Sequence, residues 1–154
     1  MSSTSNTVAR WRGFNNVFGD IWNNMDGIMI DANAGTTGRD NKNLVYVSNN
    51  PKDYNDSDIS KYSIVGEEIH SDGYIVDFDL GDSAEIIPLS VGGDSTIYKC
   101  DYHYTGSLNS ILRTLLLGGT ANSSGAAGLV RFNSDISVGY SSQDVGFWSS
   151  KRID

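Results

Sequence analysis

The chain has 154 residues and a formal net charge of −8 at pH 7, which favours a single acidic domain and argues against nucleic acid as a partner. Its one cysteine, Cys100, excludes a disulfide within the chain and leaves the redox compartment open. No apolar run is as long as a membrane span, and the first residues lack the apolar core of a signal peptide. We therefore expect no membrane insertion.

The N-terminal part of the chain predicts a tail followed by a helix. Residues 1–9 are mostly small and polar, which is typical of a flexible tail, and we place one domain over 10–154. Between 18 and 30 the large apolar residues recur at helical spacing, which predicts one apolar face of a helix. Gly27 weakens the last turn, so that Ile28–Ile30 can start a strand. The residues of the apolar face are Phe18, Ile21, Trp22, Met25, Ile28 and Met29.

Two segments in the middle of the chain show the alternation of a strand with one wet face. In the first, apolar residues alternate with aspartates, which predicts that the apolar side faces the core. The apolar residues are Tyr74, Val76, Phe78 and Leu80, and the aspartates are Asp77 and Asp79. In the second, over Thr96–Tyr104, Cys100 shares the inner side with three tyrosines, whereas His103 shares the outer side with Asp101.

Shorter patterns predict further strands joined by long polar loops. Leu44–Val47 is a strand candidate between turn-forming segments. Leu108–Leu117 is either a short helix or a turn leading into a buried strand at Thr114–Leu117, and we favour a mixture of the two. Gly128–Asn133 and Val145–Trp148 are the last strand candidates. Early helices followed by several short strands indicate an α+β domain with an antiparallel sheet.

Few residues offer chemistry, and a structural role is favoured for each. Neither histidine is spaced along the chain so as to act as the base of a nucleophilic Cys100. We therefore expect the thiol of Cys100 to be packed in the interior. His70 and His103 are the only histidines, and without further ligands they do not suggest a zinc site, so we expect structural or solvated roles. Trp22 is expected in the core because it lies at helical spacing from Phe18.

Acidic residues form two more candidates. Paired acids can cleave a glycosidic bond, but acids that alternate along a strand usually form a wet face, which we favour here. These acids are Glu67, Glu68, Asp77, Asp79 and Asp82. Asp53, Asp56 and Asp58 can offer oxygen ligands to calcium, but the helix-flanked calcium-loop pattern is missing, so a solvated loop is favoured. We expect a protein that is not an enzyme and that uses no cofactor or metal.

Two segments together resemble a known family. The first runs from Arg10-Trp11-Arg12-Gly13-Phe14 to Met25-Asp26-Gly27-Ile28, and the second is the small and polar run from Gly118 to Phe147. In this order they resemble the C-type lectin-like domains of bacteriophage fibre proteins and of the variable proteins of diversity-generating retroelements. Positions that keep the signature of the family are Gly118, Gly119, Asn122, Ala127, Gly128, Leu129, Asn133 and Gly146.

The second segment also departs from that signature. Ala121 stands where the family has tryptophan, and four other positions differ where asparagine is usual. These four are Ser123, Ala126, Asp135 and Tyr140. In retroelement variable proteins the asparagine positions are the ones altered by mutagenesis. The departures fit a binding face that has been changed in this way, and they fit drift in a fixed phage adhesin equally well.

The resemblance implies a C-type lectin-like fold, with early helices packed on short antiparallel strands and long loops. It implies a receptor-binding module of a phage fibre, or a diversified variable protein, that binds a host-surface glycan or protein from the virion surface, as a possible homotrimer. The alternative is a structural decoration or assembly domain that contacts other fibre or virion proteins. Arg131 and Tyr140 are the expected anchors. The implied ligand-binding residues are Ala121, Asn122, Ser123, Ala126, Arg131, Asp135, Ile136, Tyr140, Ser142, Gln143, Asp144 and Trp148.

Overall fold

The computed structural model of the protein consists almost entirely of β-strands and connecting loops. The residues that it describes are 10–11, 14–15, 21–32, 41–81, 85–96, 101–106, 112–126, 128 and 130–146. Within these residues there are eleven strands, two short 3-10 helices and no α-helix. The 3-10 helices are Pro51–Asp53 and Ala121–Ala126.

The strands divide into one short antiparallel pair and one large sheet. The pair is β1 (Arg10–Trp11) with β2 (Phe14–Asn15). The large sheet has nine strands. They are β3 (Trp22–Asp31), β4 (Lys42–Val47), β5 (Ser63–Ile69), β6 (Gly73–Leu80), β7 (Ile86–Val91), β8 (Tyr102–Tyr104), β9 (Leu112–Leu117), β10 (Phe132–Ser137) and β11 (Val145–Gly146).

The large sheet curls until its outermost strands meet. The strand order is β5-β4-β3-β9-β10-β8-β6-β7, and β11 pairs with β3. Neighbours are antiparallel except β8 with β10 and β3 with β11. At the seam β5 contacts β7, and the approach is so close that a Cβ at Gly66 would lie 2.7 Å from Ile87 Cδ1. The sheet is therefore nearly closed and barrel-like.

The expectation of an α+β, C-type lectin-like fold with early helices is wrong. Residues 22–30 of the predicted helix lie in β3, a central strand that pairs with β4 on one side and β9 on the other. Ile21 is a bend before the strand, and residues 18–20 lie outside the described residues. The pairing with β9 is irregular between Met25 and Met29. An irregularity shifts the alternation of side chains, so Met25 and Ile28 face the same interior space. That three-residue spacing imitates a helix.

The core lies inside the curled sheet. Its buried centre takes one residue from each of β3, β6, β9 and β10: Ile30, Ile75, Leu115 and Phe132. β3, β9 and β10 are direct neighbours in the sheet and β6 is joined to β10 through β8, so the core takes its residues from the middle of the strand order.

β6 confirms the predicted strand but turns a different side inward. Ile75 is 2% exposed, whereas Val76 and Leu80, which were expected inside, are 53% and 63% exposed. The pairing of β6 with β7 is irregular on both sides of Asp77, and such irregularities break strict alternation. Of the expected inner residues, Phe78 does pack against the core.

The other strand predictions are confirmed in part. Leu44–Val47 lies within β4 and Thr114–Leu117 lies within β9. The candidate at 128–133 overlaps only the start of β10, and the described part of 145–148 is β11. Of 96–104, the strand covers Tyr102–Tyr104. The tail over 1–9, Cys100, and the possible helix before residue 112 lie outside the described residues.

Candidate functional site

The feature that marks a candidate site is an interruption in β3. Residues 26–28 stand opposite no residue of β9, although Gly27 O still accepts a hydrogen bond from Ser48 N (2.9 Å) beyond the end of β4. Gly27 has a φ of 81°, which glycine adopts without the clash that a Cβ would make. On the two sides of the interruption, β3 pairs normally with β9: Met25 is opposite Leu115, and Met29 is opposite Thr114. Interruptions of this kind bend a strand and are frequent beside ligand sites.

A cavity of about 240 Å³ opens beside the interruption, and we call it the bulge cavity. It reaches the core, because Leu115 and Phe132 belong to its walls. An apolar cavity of about 150 Å³ is enough to hold benzene, so one ring or a short branched chain fits here. The lining residues are Met25, Asp26, Gly27, Ile28, Val45, Val47, Ser48, Asn49, Tyr54, Glu85, Ile86, Leu115, Leu117 and Phe132.

Tyr54 forms a solvent-exposed part of the wall of the bulge cavity. Its phenol lies against the interruption, so close that a Cβ at Gly27 would be 2.6 Å from Tyr54 Oη. The loop that carries Tyr54 is fixed by local hydrogen bonds: the Asn50 side chain caps the short 3-10 helix, and Asn55 N donates to Tyr62 Oη (3.1 Å). Because Tyr54 is 39% exposed, a ligand that enters the cavity would contact the ring.

The charges around the bulge cavity are acidic. Asp26 and Glu85 are the ionisable carboxyls of the lining, and no basic side chain occurs among the described lining residues. Glu85 is held near Gly81, since Gly81 N donates to Glu85 O (2.9 Å). Negative charge beside an apolar wall repels an anionic ligand. The cavity therefore suits an apolar group that is neutral or positively charged.

A second part of the interior is polar. It lies near the beginning of β4, whereas the bulge cavity lies near the end of β4. Glu68 Oε1 accepts hydrogen bonds from Asn43 Nδ2 (2.9 Å) and Ser134 Oγ (2.8 Å). His103 Nε2 lies 3.0 Å from Ile69 O and 4.0 Å from Glu68 Oε2. A carbonyl oxygen only accepts, so His103 Nε2 carries a hydrogen.

This polar cluster corrects two predictions. His103 and Glu68, which were expected on wet faces, are 0% and 1% exposed. Burial is tolerated because β4 and β10 bring hydrogen-bond partners to Glu68 of β5 from distant parts of the sequence. The cluster is enclosed, and its hydrogen bonds join strands, so we interpret it as a brace of the sheet rather than as a reaction centre.

An ion pair adjoins this brace and involves a predicted ligand residue. Arg113, buried on β9, donates from Nη1 to Asp135 on β10 and to Thr105 O (2.9 Å). The carboxylate of Asp135 is thus already engaged by the protein. A new ligand would have to compete with a charge-assisted hydrogen bond for it.

The other predicted ligand residues fall into two groups. Ala121 and Asn122 are exposed, and Ser123 is half-buried, on the connection between β9 and β10. Tyr140, Gln143 and Asp144 are exposed, and Ser142 is half-buried, on the connection between β10 and β11. The side chain of Ala126 and all of Trp148 lie outside the described residues.

The structure brings some of this set together. Arg131 Cζ lies 4.9 Å from the ring centroid of Trp22, and Trp22 N donates to Asp144 O (2.8 Å), so Trp22 joins Arg131 to the second group. Asp135 and Ile136 lie further along β10, where Ile136 is opposite Thr114. Whether the set binds a ligand stays a prediction.

The remaining acids have structural partners or face solvent. Asp77 and Asp79 are exposed and accept from the backbone N of the following residue, which confirms a wet face. Asp53 pairs with Lys61 (3.4 Å), and hydrogen bonds from Ser60 lower the pKa of Asp58. Among the described residues, no three His, Cys, Asp or Glu side chains gather as a metal site would require. Asp82 lies outside the described residues.

Sequence reasoning missed the bulge cavity. The one available signal was Gly27 within an apolar strand, since an isolated glycine there suggests an interruption.

Comparison of the chain with protein families, curated proteins and solved structures finds no match. In the described part of the chain, no helix is long and apolar enough to cross a membrane.

Proposed function

We propose that the protein is a binding module that holds an apolar group of its ligand in the bulge cavity and does not convert it chemically. The observation that carries this proposal is the cavity itself, which is apolar, concave and continuous with the core. Ligand sites usually have this form, with a few polar groups that orient the ligand. Here Ser48, Asn49 and Tyr54 are the uncharged polar groups of the wall, beside the carboxyls of Asp26 and Glu85.

The cost of the cavity supports a functional interpretation. Protein interiors are close-packed, and wall atoms that face an empty space lose their dispersion contacts. In addition, the interruption at 26–28 gives up pairing with β9. A ligand that fills the space would restore the missing contacts, which gives it affinity for the folded protein.

Carbon-13 labelling of methionine methyl groups tests the proposal. The chain has three methionines; Met25 lines the bulge cavity, whereas Met29 does not. Titration with neutral ring compounds such as p-cresol and indole should shift the Met25 signal and leave the Met29 signal in place. Val47→Phe, which fills the cavity, should abolish the shift, and Val76→Phe on the exposed side of β6 is the matched control. If no compound shifts Met25, or if both variants bind equally, the cavity is not a ligand site.

Receptor binding from a phage fibre, directed at a host-surface glycan or protein, is a finer proposal. It is supported by the motif resemblance of the 118–147 segment and by the exposure of Asn122, Tyr140 and Gln143. The fold of that family does not support it, because the chain has a nearly closed sheet instead. Attachment of the purified protein to host cells, compared with attachment of Tyr140→Ala, tests it; equal attachment, or none by either protein, would contradict it.

A role in virion assembly is the second candidate, and exposed aliphatic side chains favour it. Ile64, Val76, Leu80 and Leu89 are 59%, 53%, 63% and 41% exposed on β5, β6 and β7. These three strands flank the seam of the sheet, and large exposed apolar groups are typical of protein contacts. Val76→Asp should abolish incorporation into particles if this role is correct, and normal incorporation would contradict it.

A further inference from the structure

A second candidate site lies on the outer side of the sheet, around Arg131. On β3 the half-buried Trp22 precedes the buried Asn23, and successive side chains of a strand point to opposite sides, so the Trp22 ring lies on the outer side of the sheet. Arg131 immediately precedes β10, and its Cζ lies 4.9 Å from the ring centroid of Trp22. The backbone fixes this position, because Arg131 O accepts a hydrogen bond from Gly118 N (3.1 Å).

Aromatic side chains lie on the same part of the sheet as the Arg131 guanidinium. Besides Trp22, which it contacts, Tyr74 of β6 and Tyr102 of β8 are close enough to act on its charge. These two tyrosines are opposite each other, with ring centroids 5.1 Å apart. Burial lowers the pKa of Arg131, and the nearby Tyr74, Tyr102 and Asp101 act in the opposite direction. The cation is thus partly withdrawn from water beside the Trp22 ring.

The guanidinium lacks acceptors for part of its hydrogen-bonding capacity. Arg131 Nε and Nη1 are buried and have no hydrogen-bond partner among the residues that the structure describes. The contact with Trp22 stabilises the charge but accepts no N–H in the guanidinium plane. Asp101, the neighbouring acid, accepts from Val130 N (3.4 Å). A buried charged donor without an acceptor is costly, and it points to a bound water, ion or ligand.

We infer that Arg131, in contact with Trp22 and near the Tyr74–Tyr102 pair, binds the carboxylate of an acidic sugar on the outer side of the sheet. A carboxylate offers two oxygens that match the planar fork of a guanidinium. Aromatic faces pack against the C–H groups of a sugar ring, and the two phenol hydroxyls can exchange hydrogen bonds with its hydroxyls. The site is separate from the bulge cavity and does not depend on it.

The charge of the protein favours a sugar over an acidic peptide. At a net charge of −8, each further negative charge on a ligand adds repulsion. A glycan with one carboxylate carries a single negative charge that the protein repels, whereas an acidic peptide or a nucleic acid carries several. A single carboxylate on a mostly neutral sugar is therefore the best match.

The experiment compares three small probes on the full chain by NMR. The probes are methyl glucuronide, methyl glucoside, and N-acetylglutamate methylamide as the peptide carboxylate. We expect glucuronide to shift the Trp22 indole signal of the wild-type protein and to bind about tenfold or more tightly than glucoside. Arg131→Gln should remove this preference, and Lys61→Gln, which removes the same charge from an exposed side chain, should retain it.

Several outcomes decide between the alternatives. The inference is supported if the glucuronide preference is present in wild type, lost in Arg131→Gln and kept in Lys61→Gln and in Val47→Phe. Arg131→Lys keeps the charge without the planar fork, and a weakened preference in this variant also supports it. The wild-type Trp22 shift does not depend on any variant folding. Absence of that shift, a preference that survives Arg131→Gln, or equal binding of the glutamate probe would overturn the inference.

Discussion

Replacement of Gly27 by alanine tests the physical account of the interrupted strand. Gly27 has a φ of 81°. A Cβ at this position would lie 2.6 Å from Tyr54 Oη and 2.7 Å from Ser48 O. Tyr54 is partly exposed and can rotate away, but Ser48 O is backbone next to β4 and can move only with its strand. The alanine methyl group is therefore opposed by both the backbone conformation and a rigid neighbour.

The two effects set the expected magnitude. A left-handed backbone costs a non-glycine residue about 1–2 kcal/mol, and crowding of a packed site costs about 1–3 kcal/mol. We expect Gly27→Ala to lower the free energy of unfolding by about 2–5 kcal/mol. With a urea dependence of about 2 kcal/mol per molar, the unfolding midpoint should fall by roughly 1–2.5 M.

Urea unfolding followed by tryptophan fluorescence provides the measurement, and Gly139→Ala is the matched control. Gly139 has no heavy atom within 4 Å of the position of a Cβ, and its φ is not among the positive values. The control should stay within about 0.5 kcal/mol of wild type. If Gly27→Ala and Gly139→Ala unfold at the same urea concentration, the interruption does not require glycine and our account of the cavity wall fails.

Three further changes test other parts of the structure. Burial lowers the pKa of His70 below 6.5. The contribution of the neutral imidazole to stability is therefore complete above pH 6.5 and declines as the pH falls below that value. We expect the urea midpoint of the wild-type protein to fall between about pH 7.5 and about pH 5.5, and we expect a smaller fall in His70→Gln. Asp135→Asn removes the carboxylate charge that the buried Arg113 contacts and should lower the free energy of unfolding by about 3 kcal/mol in urea. Val47→Phe fills the bulge cavity and should raise the free energy of unfolding by about 0.5–2 kcal/mol in thermal unfolding, whereas Val76→Phe should change it by less than about 0.5 kcal/mol.

Each of these expectations has a contradicting result. An unchanged pH profile in His70→Gln would mean that another group controls acid stability. Asp135→Asn with wild-type stability would show that water replaces the carboxylate beside Arg113. A Val47→Phe protein that is less stable than wild type would show that the bulge cavity has no room for the added ring.

Local patterns predicted some strands well, for a physical reason. At Leu44–Val47 and Thr114–Leu117 the residues are apolar or β-branched, and both segments lie within ladders that continue on both sides. A strand that is buried on both faces needs only a run of apolar residues, and such a run is visible in the sequence itself. The side that β6 turns inward could not be read in this way, because irregular pairing around Asp77 reverses the alternation.

The candidate site was beyond sequence reasoning because closure of the sheet creates it. The bulge cavity combines residues from β3, β4, β7, β9 and β10 with Tyr54 of a loop, and no spacing along the chain signals their meeting. The same holds for Glu68, whose partners Asn43 and Ser134 are 25 and 66 residues away. A rule that places charged residues in water fails where distant strands supply hydrogen bonds.

The interior of the sheet is divided between two kinds of stabilisation, and the division explains where a ligand can bind. Near the start of β4, Glu68 and its partners join strands through directional hydrogen bonds that require fixed positions. Near the end of β4, apolar walls surround the bulge cavity, and apolar contacts tolerate a change of occupant more easily than hydrogen bonds do. On our proposal the ligand occupies the apolar part, where filling the space does not require the hydrogen bonds of the brace to be remade. Phe132 lines the cavity and lies edge-on to His103 of the brace, with ring centroids 6.3 Å apart, so the two parts touch through this side chain.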